Sequence, residues 1–252
     1  LKSFKEFLDS SDSGISDYCT HVEYSYGITL QVFDDDTENI HQVNPSSVMD
    51  EIGFGAMSGM ISLASNMSSS SAGQMDIFEE ISDNEKMLDT KYEVLVGSFP
   101  KRYDEAILIV DNRNEITDYT LYTLGMRDVT ELRDAVRDMI QKKDDVAELS
   151  GGENYSIDDF LGKTFRVVDN TAFYQKNSDG IWEDMREDSE FMNNVVQNGI
   201  QLKIVGVVRA KEESMSSISG TIGYTKALMG MISEKVNESE IVKEQRDNEE
   251  YD

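Results

Sequence analysis

Apolar residues recur along this chain with two different periods, and the order in which those periods follow one another narrows the fold more than any motif does. Strand-like and helix-like stretches are mixed without the regular alternation of a doubly wound sheet, which makes the chain α+β, a mixed sheet or sheets with flanking helices. Residues 1–9 read as the end of a helix, with Leu1, Phe4 and Leu8 on one face, stopped by the Ser-Asp-Ser-Gly run at 11–14. From Cys19 to Phe33 the residues Tyr24, Tyr26, Ile28, Leu30 and Val32 alternate, which predicts a strand with one buried face. The acidic run Asp34, Asp35, Asp36 then marks a turn.

A short helix is expected over Asp76–Leu88, where Ile77, Ile81 and Leu88 share a face. Strands follow at Tyr92–Val96 and Ala106–Val110, and the residues from Asp111 to Asn114 turn the chain. Asp118 can cap a two-turn helix ending at Gly125. The next helix is the clearest: Asp128 and Glu131 have a capping-box-like spacing, and Leu132, Val136, Met139 and Ile140 form its apolar stripe. The last third reads as β-rich, with short strands at Thr164–Val168 and Thr171–Gln175 and a turn from Asn177 to Gly180. Asn198-Gly199 is a turn signal feeding a strand over Ile200–Arg209. A helix from about Thr225 to Arg246, with Leu228, Met231, Ile232 and Val236 on one side, completes the pattern.

One stretch breaks these patterns. Between Ser46 and Gly73, Gly53, Gly55 and Gly59 mingle with Met49, Met57, Met60 and Met67, and serines crowd the end. So little fixed side-chain bulk reads as a flexible loop over 46–75. The rest is expected to be one domain, its core drawn from 1–45, 76–111 and 161–235, with 112–160 as a middle part that could form a second subdomain.

The charge balance restricts the partners. With 50 Asp and Glu against 23 Lys and Arg, the formal net charge is −27. Phosphate binding needs clustered cations, so nucleic acid is not an expected partner, and neither is anionic lipid. The single cysteine, Cys19, excludes an intramolecular disulfide and a zinc site built on thiolates. No stretch approaches the ~18 apolar residues that a membrane span requires. The chain opens at Leu1 without an apolar leader and does not begin with Met, so it reads as a piece of a longer protein.

Catalytic and metal-binding constellations are poorly supported. His21 lies in the alternating strand and reads as structural, while His41 lies in a polar loop and reads as solvated. Cys19 reads as a small buried residue. Adjacent acids such as Asp158-Asp159 carry little information in so acidic a chain. The acidic segments at Asp34 and Asp111 both fail the EF-hand spacing: Asn39 stands where the first needs glycine, and Arg113 where the second needs a carboxylate. The Gly53, Gly55, Gly59 spacing lacks the preceding strand of a dinucleotide site. The methionines in the loop offer thioethers for Cu(I) without supporting histidines. No catalytic residue, cofactor or metal is therefore expected.

Three stretches together resemble the extracytoplasmic domain of MacB-like ABC transporter permeases, in the FtsX-like permease superfamily. The first runs Tyr92-Glu-Val-Leu-Val-Gly-Ser-Phe-Pro and then Tyr103-Asp-Glu-Ala-Ile-Leu-Ile-Val-Asp, similar to the family's "V-x-x-G-x-x-P … x-E-x-V-V" segment. The second, Ile116-Thr-Asp-Tyr-Thr-Leu-Tyr-Thr-Leu-Gly125, is close to a form seen in Firmicutes members. The third is Leu161-Gly-Lys-Thr-Phe-Arg-Val, followed by Leu202-Lys-Ile-Val-Gly-Val-Val and by Gly223-Tyr-Thr-Lys-Ala-Leu. It is similar to the family's "G-x-x-[FI]-x-[VI] … F-x-V-V-G-V" ending, and the Met/Ser/Gly-rich insertion also fits that branch. The order and spacing of the motifs carry the resemblance, which covers most of residues 1–235.

The resemblance implies a MacB periplasmic-domain-like fold, inserted after a first transmembrane helix, on the extracellular side of the cell membrane of a Gram-positive cell. It implies a permease dimer driven by a cytoplasmic ABC ATPase whose movement reaches this domain. The domain itself would be non-catalytic, coupling ATP hydrolysis to export or handling of a peptide, an antibiotic or an envelope partner. The acidity adds a candidate substrate class, cationic peptides, which so negative a surface concentrates within a Debye length. Two other classes compete: a stand-alone extracellular binding or adhesion module, and a hydrolase working through two positioned carboxylates in an aromatic cleft, for which the lone Trp182 is a poor start.

Overall fold

A computed structural model describes residues 2–19, 22, 28–35, 40–45, 48, 77–140, 155–211 and 220–247. Within them an eight-stranded mixed sheet is flanked by helices, an α+β architecture. Its strands are β1 (Gln31–Asp34), β2 (Gln42–Asn44), β3 (Phe78–Ile81), β4 (Tyr92–Gly97), β5 (Glu105–Val110), β6 (Thr164–Val168), β9 (Ile200–Ala210) and β10 (Thr221–Thr225). Two more, β7 (Tyr174–Lys176) and β8 (Trp182–Asp184), make a separate hairpin. The sheet order is β2-β1-β6-β9-β5-β10-β3, with β4 also on β9.

The long strand β9 organises the sheet. β5 lies parallel to it on one edge. The other edge is divided: Ile200–Lys203 pair with β6 and Gly206–Ala210 pair with β4, both antiparallel. At the changeover the ladder is irregular. Ala106 faces Ile204 and Ile107 faces Gly206, so Val205 has no opposite number on β5. The extra residue shifts the period by one, which brings Val207 back to the face that holds Leu202 and Ile204. Backbones meet closely here. Gly97, at φ 76°, and Gly206 are places where an added Cβ would stand 2.1 Å from Val205 O and 2.3 Å from Ser98 O respectively.

β5 reads Glu-Ala-Ile-Leu-Ile-Val and is buried on both faces, as an unbroken apolar run in a central strand should be. Ala106, Leu108 and Val110 join the larger core, with Phe165 against Phe78 edge to face at 5.5 Å. Helices close this face: α3 (Asp118–Thr123) through Leu121, α5 (Ile157–Phe160) through Phe160, and α7 (Lys226–Glu238) through Leu228, Met229 and Ile232. Ile107 and Ile109 point the other way, into a smaller cluster with Leu88 of α2 (Glu85–Lys91) and Phe99. A third cluster joins Phe33 and Val168 to Phe173, and to Met192 and Val196 of α6 (Ser189–Gln197).

The remaining helices are α1 (Lys2–Leu8), α4 (Val129–Ile140) and α8 (Glu240–Asp247). The short α1 carries exposed Phe4 and Phe7. The α3 and α5 segments of the middle part, 112–160, pack into the same core as β5, β6 and β9.

Several expectations are corrected. The strand expected over Cys19–Phe33 is confined, among the described residues, to Gln31 onward; Ile15–Asp17 form a 3-10 turn, and Tyr24 and Tyr26 lie outside the described residues. The helix expected over Asp76–Leu88 is instead strand β3 followed by α2, capped by Asn84. Ile77 and Ile81 share a helical face on paper, but Phe78–Ile81 run parallel to Ile222–Thr225, and sheet pairing overrides the spacing. Thr117, not Asp118, caps α3. Thr171 lies in a 3-10 turn, Asn170–Phe173, and the strand starts at Tyr174. The last helix breaks at Ser239 into α7 and α8, with Met229 rather than Met231 fully buried. The stretch 46–75 lies outside the described residues apart from Val48, which is buried.

Candidate functional site

Among the described residues, three polar groupings sit half-buried at the sheet, and the third lines a half-open cavity with several apolar walls. The first lies where the end of β1 meets β6 and β9. Asp35 accepts hydrogen bonds from Thr164 Oγ1 at 2.6 Å, Arg166 Nε at 2.5 Å and Gln201 Nε2 at 2.9 Å. Burial pushes the Asp35 carboxyl up, but these three bonds and the Arg166 charge outweigh it and hold the group below the usual carboxylate range. Both carboxylate oxygens are engaged, so the network ties the end of β1 to β6 and β9.

The second grouping is at the end of β1. His41 Nε2 lies 3.2 Å from Thr123 O, and Asp34 Oδ2 lies 3.5 Å from Lys163 Nζ. His41 is therefore not the solvated residue its sequence context implies. It is half-buried and joins β2 to the C-terminal end of α3.

The third grouping is the candidate site. α3 ends in a Schellman turn: Met126 N–H donates to Leu121 O at 2.9 Å and Gly125 N–H to Tyr122 O at 3.0 Å, with Gly125 at φ 66°. This turn folds Arg127 back under its own helix. There Arg127 Nη1 meets Asp118 Oδ1 at 2.9 Å, and the guanidinium lies over the Tyr122 ring at 5.9 Å. The side chain is 18% exposed, and its Nε is buried with no hydrogen-bond partner among the described residues.

Arg127 lines a cavity of about 220 Å³ between β5, β9, α3 and α5. Its walls are apolar, from Leu108, Val110, Leu121, Ile157, Phe160 and Val207. Tyr155 closes one side by donating its hydroxyl to Met126 O at 2.5 Å and packing on Phe160. On the exposed side lie Asn114 and Glu115, held by a turn in which Asp111 Oδ1 accepts from Arg113 N–H and Glu115 N–H, each at 2.8 Å. The described lining contains no Ser, Cys or His. What this arrangement can do chemically is hold a ligand by its apolar body and by one cation.

Two wider cavities lie on the opposite face. One, of about 490 Å³, is lined by Phe33, Phe173, Met192 and Arg186, whose guanidinium stacks over Phe173 and pairs with Asp184. The other, of about 510 Å³, lies by Asp83, Leu88, Phe99 and Lys101.

The residues weighed from sequence do not converge. Cys19 is half-buried with its thiol directed to Ile15 O at 3.3 Å, far along the chain from His41. His21, Asp36 and the glycines at 53, 55 and 59 lie outside the described residues. Asp159 closes a capping box by accepting from Ser156 N–H at 2.6 Å. Trp182 sits in the β7–β8 hairpin and donates to Glu244 of α8. Among the described residues no group of three or more His, Cys, Asp or Glu is arranged to hold a metal ion, and no helix is long and apolar enough to cross a membrane.

Arg127 itself was not foreseen. It is one charged residue in a charged stretch, and the nearest sequence signal was Gly125, which ends α3 and so dictates where the next residues turn. The chain matches no family model, no curated protein and no solved structure.

Proposed function

We propose that this chain is the non-catalytic extracytoplasmic domain of a MacB-like permease, which takes up movement from a cytoplasmic ABC ATPase through flanking membrane helices. One observation carries the reading. The segments that resemble the family lie far apart in sequence, yet they are neighbours in the fold. β4, β5 and β6 all pair with β9, and β10 pairs with β5. Residues 116–125 form α3 on the same core, and residues 223–228 run from β10 into α7.

A second reading, a stand-alone extracellular binding module, is favoured by the Arg127 cavity, a feature that a ligand-binding domain needs and a purely mechanical one does not.

The parent reading frame separates the two. An apolar span upstream, three more downstream and an ATPase in the same or an adjacent frame support the permease. A signal peptide with a wall or lipid anchor and no multiple spans refutes it in favour of the binding module. The expected cationic-peptide substrate is tested by titration at physiological salt. Binding no stronger than to an equally acidic control protein removes it, since the charge of −27 alone attracts cations.

A further inference from the structure

We infer that the cavity beside Asp83 and Lys101 is a binding crevice for a small zwitterion with an apolar side chain, of the size of a dipeptide. The inference does not rest on the permease reading.

Sheet topology points to the place. β3 and β10 are neighbours that run parallel, and each leads into a helix. α2, after β3, sends Leu88 into the smaller cluster with Ile107 and Ile109. α7, after β10, sends Leu228 and Met229 into the larger core with Leu108. Those two clusters lie on opposite faces of β5, so the two connections leave the sheet in opposite directions and a crevice opens beyond the carboxyl ends of the strands. Sheets with parallel strands bind their ligands at such switch points. The cavity of about 510 Å³ lies here, lined by Ser82, Asp83 and Glu85 after β3 and by Thr225 and Ala227 where α7 begins. Its volume falls within the ~300–1,000 Å³ of small-molecule sites.

Floor and rim differ in chemistry. Leu88 and Phe99 are buried and, with Pro100, give an apolar floor. Asp83, Glu85 and Lys101 are exposed and form a charged rim. Asp83 is held in place, since its Oδ1 accepts from Lys226 N–H at 3.1 Å. The loop that carries Lys101 is fixed as well: Glu105 Oε2 accepts from the N–H groups of Lys101 and Arg102, at 2.7 and 3.1 Å. The side chains of Glu85 and Lys101, by contrast, make no hydrogen bond or ion pair among the described residues, with each other included.

Opposite charges on one rim that do not neutralise one another suit a ligand that carries both. Its ammonium goes to Asp83 and Glu85, its carboxylate to Lys101, and its hydrocarbon side chain to Phe99 and Leu88. With two acids to one cation on the rim, and −27 on the whole chain, an anion without an amino group is repelled.

The test is calorimetric titration of the full chain with the dipeptide Leu-Leu, its N-acetyl form and its C-terminal amide, repeated with Glu85→Gln, Lys101→Gln and Ala227→Trp. Saturable binding of the dipeptide is expected, weakened about threefold to tenfold by N-acetylation or by Glu85→Gln, and as much by amidation or by Lys101→Gln. The pairing is read from the cross terms: N-acetylation should matter less in Glu85→Gln than in the wild-type chain, and amidation less in Lys101→Gln. Ala227→Trp, which sets an indole in the crevice from the exposed start of α7, should abolish binding. No binding at millimolar concentration, equal binding of the three ligands, or unchanged binding in Ala227→Trp overturns the inference. Should a variant fail to fold, the three ligands on the wild-type chain decide the question unaided.

Discussion

Replacing Gly206 with alanine tests the divided edge of β9 more directly than any other single change. The new Cβ would stand 2.3 Å from Ser98 O and 3.0 Å from both Ser98 C and Ser98 N. These are backbone atoms, fixed by the Ser98 N–H bond to Val205 O at 3.1 Å, so β4 must part from β9 where a mobile side chain would simply swing aside. Overpacking of this kind costs about 1–3 kcal/mol. Loss of one backbone hydrogen bond adds about 1 kcal/mol, for a total of about 2–4 kcal/mol. In a chain of this size each kcal/mol moves the melting temperature by about 2–4 °C, so Gly206→Ala should melt roughly 4–16 °C lower.

The control is Gly230→Ala. Gly230 lies on the exposed side of α7 with nothing within 4 Å of an added Cβ, and alanine there should stabilise by up to about 1 kcal/mol through helix propensity. Urea unfolding followed by far-UV circular dichroism reads both, with the slope unchanged if only stability moves. Equal midpoints for the two variants, or a loss at Gly230 and none at Gly206, would refute the close approach of β4 and β9.

Two further outcomes follow from the electrostatics. Asp35→Asn should cost about 1–2 kcal/mol at neutral pH, because it weakens charge-assisted bonds to Arg166, Thr164 and Gln201. The folded carboxyl lies below its ordinary 3.8, so this stabilisation is present above about pH 4 and fades as pH falls through the folded value; a wild-type advantage that vanishes between pH 7 and 5 contradicts the network. Trp182, the sole tryptophan, donates Nε1–H to Glu244 at 2.8 Å, and Glu244 is held below its ordinary 4.5 by hydrogen bonds from Lys176 and then Trp182. Its fluorescence should therefore change below pH 4.5, before the far-UV signal does, and stay flat in Glu244→Gln; a transition at or above 4.5 rules this contact out.

Legibility followed burial. β5 and β9 were readable because a central strand needs apolar residues whatever its partners, and Ala106–Val110 and Ile200–Arg209 supply them. The Asn177–Gly180 turn was readable because its chemistry is local: Asn177 Oδ1 accepts from Asp179 N–H and Ile181 N–H. β3 was misread because a Phe-Glu-Glu-Ile segment supports either period, and only β10 alongside it decides. α6 went unrecognised, since its apolar residues Met192 and Val196 are spread through a charged and amide-rich stretch and gain meaning only beneath Phe33 and Phe173.

The α+β class, the two central strands, the main turns and the strongly acidic character are already set by the order of residues. These depend on residue periodicity, turn chemistry and charge, which need no distant partner. Only the closed fold sets the sharing of β9 between β4 and β6, the network around Asp35 and the place of Arg127 in the wall of its cavity. Each depends on groups brought together from positions tens to more than a hundred residues apart: Asp35 with Gln201, Gly97 with Gly206, Arg127 with Val207. No local pattern encodes such a meeting, because its free energy exists only once the chain has closed around it.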